Sequence, residues 1–321
     1  MAKNIAYGSF YCQVTDTTDD AARAKIHSAV VRHMSAQNMA PNFMLYPALH
    51  SAAAGAEVSE LVMNGQRPEK LIVAVNNAPP DSEKGTKDNV RNDFFCADLG
   101  KDCYVCGTNN RLEFSYVRPL IKKFYRLTNT NHKQSQFRSL EVLPEHAVLF
   151  SIPEERDRLI DEGKLERVKN IRTAIPPVPD VTHVFEVDNF GNVKLYVSKA
   201  GRALLKKCAK SQEPLYFAFS SASIENTACF VQYENFDKAN VTEAFFDPPL
   251  DTNVIALRSS STLAGGVNVP VLAHVRSDPG RTAPRYYFLE KKMPAVGSPV
   301  CLTEKRPKKY VERSLDLSPK R

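Results

Sequence analysis

The stretch that decides the fold is Leu71-Ile72-Val73-Ala74-Val75-Asn76-Asn77. Five apolar residues in succession suit a strand covered on both faces, in the middle of a sheet between helical layers. Two amides and the turn sequence Ala-Pro-Pro-Asp close it. Working upstream, residues 49–63 have the alanine-rich spacing of a helix ended by Gly65. Before that, TDTTDDAARAKIHSAVVRHM (15–34) predicts a helix capped by Thr18 or Asp19, with Ala22, Ile26, Ala29, Val30 and His33 near helical spacing. NIAYGSFYC (4–12) precedes it as a first strand. Downstream, DCYVCG (102–107) reads as a further strand ending in the polar turn TNN, and RLEFSYVRPLIKKFYRL (111–127) as partly helical. Strands alternating with helices argue an α/β fold with a mainly parallel sheet.

The pattern changes after IPPVPD (175–180), where three prolines in six residues stop regular structure. IPEERDRLIDEGKLERV (152–168) just before it reads as one helix. Beyond it, VTHVFEVDNFGNVKLYVS reads as a hairpin, PLYFAFSS, ACFVQYE and NVIALRSS as short strands, and AGRALLKKCAK as a helical segment. The expected organisation is an α/β domain over 1–175 and a smaller antiparallel, β-barrel-like domain over 181–290. A basic tail without fixed structure is expected over 291–321.

Charge is placed unevenly. Nine Lys/Arg against three Asp/Glu between residues 291 and 321 account for +6 of the total +7. The body therefore lacks the basic signature of a nucleic-acid-binding domain, and weak nucleic-acid contact is expected only through the tail. No stretch approaches a membrane span, and the N-terminus lacks a signal-peptide pattern, so the expected compartment is the cytoplasm, with no membrane partner. The KRPKK run (305–309) makes the nucleus the alternative. Seven scattered cysteines give no disulfide framework. Cys103 and Cys106 would point to opposite faces of a strand, which argues buried thiols rather than a zinc pair.

In a parallel α/β sheet, ligands sit beyond the carboxyl ends of the strands. That directs attention to residues 16–20, Asn76 and Asn77, and Asn109 and Asn110.

Several fragments, in order, resemble the S-adenosylmethionine hydroxide adenosyltransferases and the related fluorinases and chlorinases. They are TTDD (17–20) before a helix, VAVNNAPP (73–80), GTNNRLEF (107–114), FRSLEVLPEHAVLF (137–150) and VDNFGN (187–192). The resemblance implies cleavage of S-adenosylmethionine by displacement at the ribose C5′, with water or halide as nucleophile, or by lyase-type chemistry. No cofactor is implied, S-adenosylmethionine being the substrate. It also implies a homotrimer, with the small molecule held between one subunit's first domain and the next subunit's second.

The matched residues have suitable chemistry. Phe190 offers a π-face for adenine, the Asn192 amide can both donate to and accept from the adenine edge, and Asp188 can accept from ribose hydroxyls or an ammonium. The same residues would also make a plain hairpin turn. Asp16 matches the family's ribose-holding aspartate only across a gap. Asn77 stands where the hydrolytic members carry a catalytic aspartate, and an amide cannot serve as a base. No histidine stands in the 137–139 segment, where Ser139 falls near the serine that holds halide in fluorinases. Two readings follow. One is an enzyme with Asn77 and Ser139 near the reacting carbon. The other is a catalytically inactive adenosine- or S-adenosylmethionine-binding or scaffolding protein of the same fold.

Overall fold

A computed structural model describes residues 8–17, 19–48, 51–64, 70–77, 94–109, 112–128, 142–187, 193–211, 215–221, 224–233, 254–263, 267–274 and 296–303. The chain divides into two compact units. Met1–Val178 with Thr262–Val267 forms the first, and Pro179–Ser261 with Asn268–Arg321 the second.

The first unit opens β1 (Ser9–Thr15), α1 (Asp20–Ala36), β2 (Asn42–Pro47), α2 (Ser51–Asn64) and β3 (Lys70–Asn76). The Asp19 carboxylate caps α1 by accepting the Ala21 N–H at 2.7 Å, and Ile26, Ala29, Val30 and Met34 form its buried stripe. Next come β4 (Phe94–Gly100) and β5 (Cys103–Thr108), an antiparallel pair. Lys101 and Asp102 turn between them with φ of 52° and 53°, both in the left-handed region that a tight hairpin demands. β6 (Lys123–Leu127), α3 (Leu143–Phe150), α4 (Pro153–Asp161), β7 (Leu165–Arg167) and the short α5 (Ile171–Ala174) complete the unit.

The strand order is β2-β1-β3-β5-β4-β6-β7. β2, β1, β3 and β5 run parallel, and the β5–β4, β4–β6 and β6–β7 pairings are antiparallel. Five of the seven strands therefore point one way, so the sheet is mainly parallel with an antiparallel flank. β3 is central and buried along its length. The side chains of its two faces enter two separate cores. Ile72 and Ala74 meet Ile26, Val30 and Met34 of α1 and Ala147 and Val148 of α3. Val73 and Val75 meet Ala54, Val58 and Val62 of α2. Cys106 lies in the first layer and Cys103 against the second, the opposite-face placement expected of a strand.

Two expectations are corrected in this unit. The 111–127 stretch holds a 3-10 turn at Arg118–Leu120 and then strand β6, because β4 recruits Phe124 and Tyr125 into its ladder. The single helix expected over 152–168 stops at Asp161. Gly163, at φ 68°, leaves the helix while its N–H bonds the Ile160 carbonyl, and the Lys164 N–H bonds that of Leu159. The chain then forms β7.

The second unit contains β8 (His183–Val187), β9 (Val193–Tyr196), α6 (Lys199–Ser211), β10 (Leu215–Ser221), β11 (Ile224–Tyr233), β12 (Val254–Leu263) as far as Ser261, β13 (Val267–His274) from Asn268, and β14 (Val300–Thr303). Its sheet runs β14-β10-β11-β12-β13-β9-β8. β8 and β9 pair antiparallel, as do β9 with β13, β10 with β11 and β10 with β14, while β11 and β12 pair parallel. Among the described residues no closed barrel forms. β8 meets the chain ahead of β14 through an isolated bridge, His183 with Pro299, flanked by backbone hydrogen bonds from Val184 to Ser298, from Gly297 to Val184 and from Val300 to Thr182. The expectation of a structureless tail from residue 291 is corrected for Val300–Thr303, whose β-prone VCLT pairs with residues 216–219 of β10.

Candidate functional site

α1 carries the chain from β1 out to β2 over one face of the sheet, and α2 carries it back past β1 to β3 over the other. The carboxyl ends of β1 and β3 therefore form a topological switch point, where α/β sheets bind ligands. Its layout is set by strand register. Thr15 pairs with Asn76, and Val75 with Gly107, so Thr15, Asn76 and Thr108 end the three strands level. Asp16, Asn77 and Asn109 follow one step beyond. At about 4.8 Å between strands, β1 to β5 spans roughly 10 Å, the scale of a nucleoside.

The strand ends are tied together by hydrogen bonds. The Ala48 N–H donates to the Thr15 carbonyl at 2.8 Å, and the Asn77 side-chain amide donates to the Ala48 carbonyl. The Asp16 N–H donates to the Asn76 carbonyl at 3.3 Å, and the Thr17 N–H to the Thr15 hydroxyl at 3.2 Å. Arg23 reaches back from α1 to the Thr17 carbonyl at 3.2 Å. Asn109 donates to the Ala174 carbonyl at 2.7 Å, and Ser115 Oγ to that of Pro176 at 2.8 Å. The loop after β5 is thus moored to the chain that leads to the second unit.

Polar side chains crowd these ends in a way the sequence reading missed. Gln13 and Thr15 are fully buried and Thr108 nearly so. By strand alternation all three lie on the face that bears Tyr11 and Cys106. Gln13 Oε1 accepts from the Tyr11 hydroxyl at 3.2 Å, which leaves the amide's donor end available. Gln13 Nε2, Thr108 Oγ1 and Asn109 Oδ1 are buried and have no hydrogen-bond partner among the described residues. Buried polar atoms are almost always paired, so the unmatched Gln13 Nε2 and Thr108 Oγ1 on this face mark a place that a polar guest completes, while Asn109 follows on the opposite face, beside Ala174. The available signal was Gln13 itself, an amide in the middle of the apolar run FYCQV.

The neighbouring titratable groups are held protonated. Burial pushes the Tyr11 phenol well above its ordinary range, with Cys106 and Cys12 adding to it. The Cys12 thiol is pushed up to about 12, chiefly by burial. Burial, then the hydrogen bond with Cys96, raises Cys106 likewise. None of these thiols is suited to act as a nucleophile.

Of the residues singled out from the sequence, the structure brings Asp16 and Asn77 together at the switch point. Asp16 is half-buried there, and Asn77 is 1 % exposed with its amide turned to Ala48. Ser139, Asp188, Phe190 and Asn192 lie outside the described residues.

No protein-family model matches the chain, and no curated protein matches it. Solved structures do. An uncharacterized conserved protein from Thermotoga maritima superposes with a TM-score of 0.57 at 11% identity, over 92% of this chain and 100% of that one. A conserved hypothetical protein from Thermus thermophilus gives 0.51 at 15% identity, again over 92% and 100%. At these identities the likeness is one of α/β fold.

Proposed function

We propose that the switch point binds an adenosine-containing ligand, S-adenosylmethionine, and that the protein cleaves it at the ribose C5′. The observation that carries this reading is the pair of unmatched buried polar atoms, Gln13 Nε2 and Thr108 Oγ1, near the carboxyl ends of β1 and β5. Asp16 and Asn109 Oδ1 would accept from the ribose diol or the substrate ammonium. Gln13 Nε2 and the Thr108 hydroxyl would donate to the carboxylate or ribose oxygens. Phe190 and Asn192 are assigned to the adenine, Asp188 to polar contacts, and Ser139 to the nucleophile.

The reaction asks little of the protein. A nucleophile's electron pair forms a bond to C5′ as the C5′–S pair returns to sulfur, and methionine leaves as a neutral thioether. If water attacks, one proton is released to solvent. A sulfonium leaves without acid catalysis, so in-line placement of a desolvated nucleophile supplies most of the acceleration. The absence of a carboxylate at position 77 is compatible with such a site. We place the protein in the cytoplasm as a homotrimer.

A second reading, adenosine binding without turnover, is favoured by one observation. Asn77, at the position matched to the family's catalytic aspartate, is buried with its amide committed to Ala48. Incubation with S-adenosylmethionine and chromatography of the products separates the two. Adenosine, or a 5′-substituted or 4′,5′-unsaturated nucleoside, supports the enzyme. Intact substrate at every protein concentration contradicts it.

A further inference from the structure

β4 and β5 set two cysteines against each other. Cys96 and Cys106 are register partners in this antiparallel pair, and both are buried in the core under α1 and α3. Directly opposed residues of an antiparallel pair have Cα atoms about 4.5 or 5.5 Å apart, depending on which hydrogen-bonding position they occupy. Either spacing falls inside the roughly 4.4–6.8 Å that a disulfide spans. The two thiols already share a hydrogen bond. Among the described residues no other two cysteines are placed in this way. Cys12 pairs with Val73, Val73 with Val105, and Cys103 with Leu71. Cys12 and Cys103 thus stand two strands apart, about 10 Å, on the opposite face of the sheet. Cys301 is exposed, in the second unit.

We propose that Cys96 and Cys106 form a modification site, at which a peroxide makes a reversible cross-strand disulfide that staples β4 to β5. Burial, then the hydrogen bond with Cys96, keeps the Cys106 thiol protonated in the closed sheet. Reaction therefore waits on a local parting of the hairpin about its turn at Lys101 and Asp102. One sulfur, as thiolate, then attacks a peroxide oxygen. The O–O bond breaks, and the departing hydroxide takes up the proton that the thiol released and leaves as water. The second sulfur attacks the sulfenic sulfur so formed, an S–S bond closes, and hydroxide leaves with the second thiol's proton as another water. Two thiols are oxidised and one peroxide is reduced to two waters. A sulfenic acid with a thiol already at disulfide distance is captured before it takes up more oxygen, so oxidation stops at a stage that a reductant reverses.

The test treats the full-length protein with hydrogen peroxide, both in buffer and in urea below the unfolding midpoint. Remaining thiols are blocked with N-ethylmaleimide, and an unreduced tryptic digest is read by mass spectrometry. Trypsin cuts after Lys101, in the turn, so Cys96 leaves on NDFFCADLGK (92–101) and Cys106 on DCYVCGTNNR (102–111). These two peptides should be recovered linked to each other, and still linked in Cys103→Ser. Dithiothreitol should separate them and return both thiols. In Cys106→Ala the link should be lost, and Cys96 should instead carry oxygen that dithiothreitol does not remove. Circular dichroism reports whether that variant folds. If it does not, Cys103→Ser by itself decides which sulfur of the second peptide is bridged. The exposed Cys301 reports that peroxide has acted. Absence of the linked peptides in buffer and in urea alike, with Cys301 oxidised in both, would overturn the proposal. So would loss of the link in Cys103→Ser, or a link that dithiothreitol does not open.

Discussion

The backbone N–H of Asp16 donates to the carbonyl of Asn76 at 3.3 Å. The chain leaving β1 is therefore still paired to the last residue of β3 when it reaches its first acid. This contact holds Asp16 at the carboxyl ends of the two paired strands, with a helical layer on either face of the sheet. A carboxylate carried on a residue whose backbone is paired in this way keeps its place at the strand ends, which suits a group that accepts from a ligand.

Asn77 supports that arrangement from below. Its amide bonds the carbonyl of Ala48, which in turn bonds Thr15, so one side chain ties the ends of three strands. Asn77→Ala should cost about 1–3 kcal/mol by leaving a buried carbonyl unpaired, read as a lower urea midpoint at unchanged slope.

Gly107 marks how closely β3 and β5 approach. A Cβ there would lie 2.2 Å from the Val75 carbonyl oxygen, a backbone atom that cannot step aside. Gly107→Ala should destabilise by about 1–3 kcal/mol. Gly163 has open space around it, and its φ of 68° alone resists a side chain. Gly163→Ala should therefore cost only about 1 kcal/mol. Equal losses in urea melts of the two variants would contradict this account.

His33, near the end of α1, has its pKa lowered below the ordinary 6.5, chiefly by burial, with Glu145 pulling it up and Arg32 pushing it down. The unfolded chain then takes the proton first as pH falls. Its contribution to stability is full above about 6.5 and is lost as pH falls through the folded pKa. The fall in midpoint between neutral and mildly acidic pH should be smaller in His33→Gln than in the wild type. An identical fall in both would show that His33 is not the group responsible.

How much of this was legible in the sequence depends on what each residue answers to. β3 was readable because a strand covered on both faces needs an unbroken apolar run, and β5 because CYVCG keeps that run short and bounded. β4 was not. Its hairpin turns on Lys101-Asp102, which lacks the Asn-Gly signature of a two-residue turn, and only pairing with β5 and β6 makes FFCADLG a strand. β2, with its alternately exposed NFMLYP, pairs in the sheet with β1 only, while Phe43 and Leu45 pack on the core under α1. At the site, Asp16 and Asn77 could be found because strand ends are predictable places. Gln13 and Thr108 escaped because their polar atoms matter through a missing partner, which spacing does not reveal.

The same lesson applies to the C-terminus. Val300–Thr303 forms the edge strand beside β10, a contact that composition hid among Lys and Pro. A chain ending at Thr303 should keep the wild-type thermal midpoint, whereas one ending before residue 296 should lose several degrees as the β10 edge is uncovered. Equal midpoints in a differential scanning experiment would mean that β14 adds nothing to the second sheet.

The central claim is that the switch point at β1 and β3 receives an adenosine-containing ligand, and titration calorimetry tests it most directly. The wild type should bind adenosine or S-adenosylmethionine. Asp16→Ala and Thr108→Val should each weaken binding by about 1–3 kcal/mol, with thermal midpoints close to that of the wild type. Phe190→Ala should cost a similar amount through lost stacking. No heat from either ligand at millimolar concentration, or undiminished affinity in Asp16→Ala and Thr108→Val alike, would contradict the account.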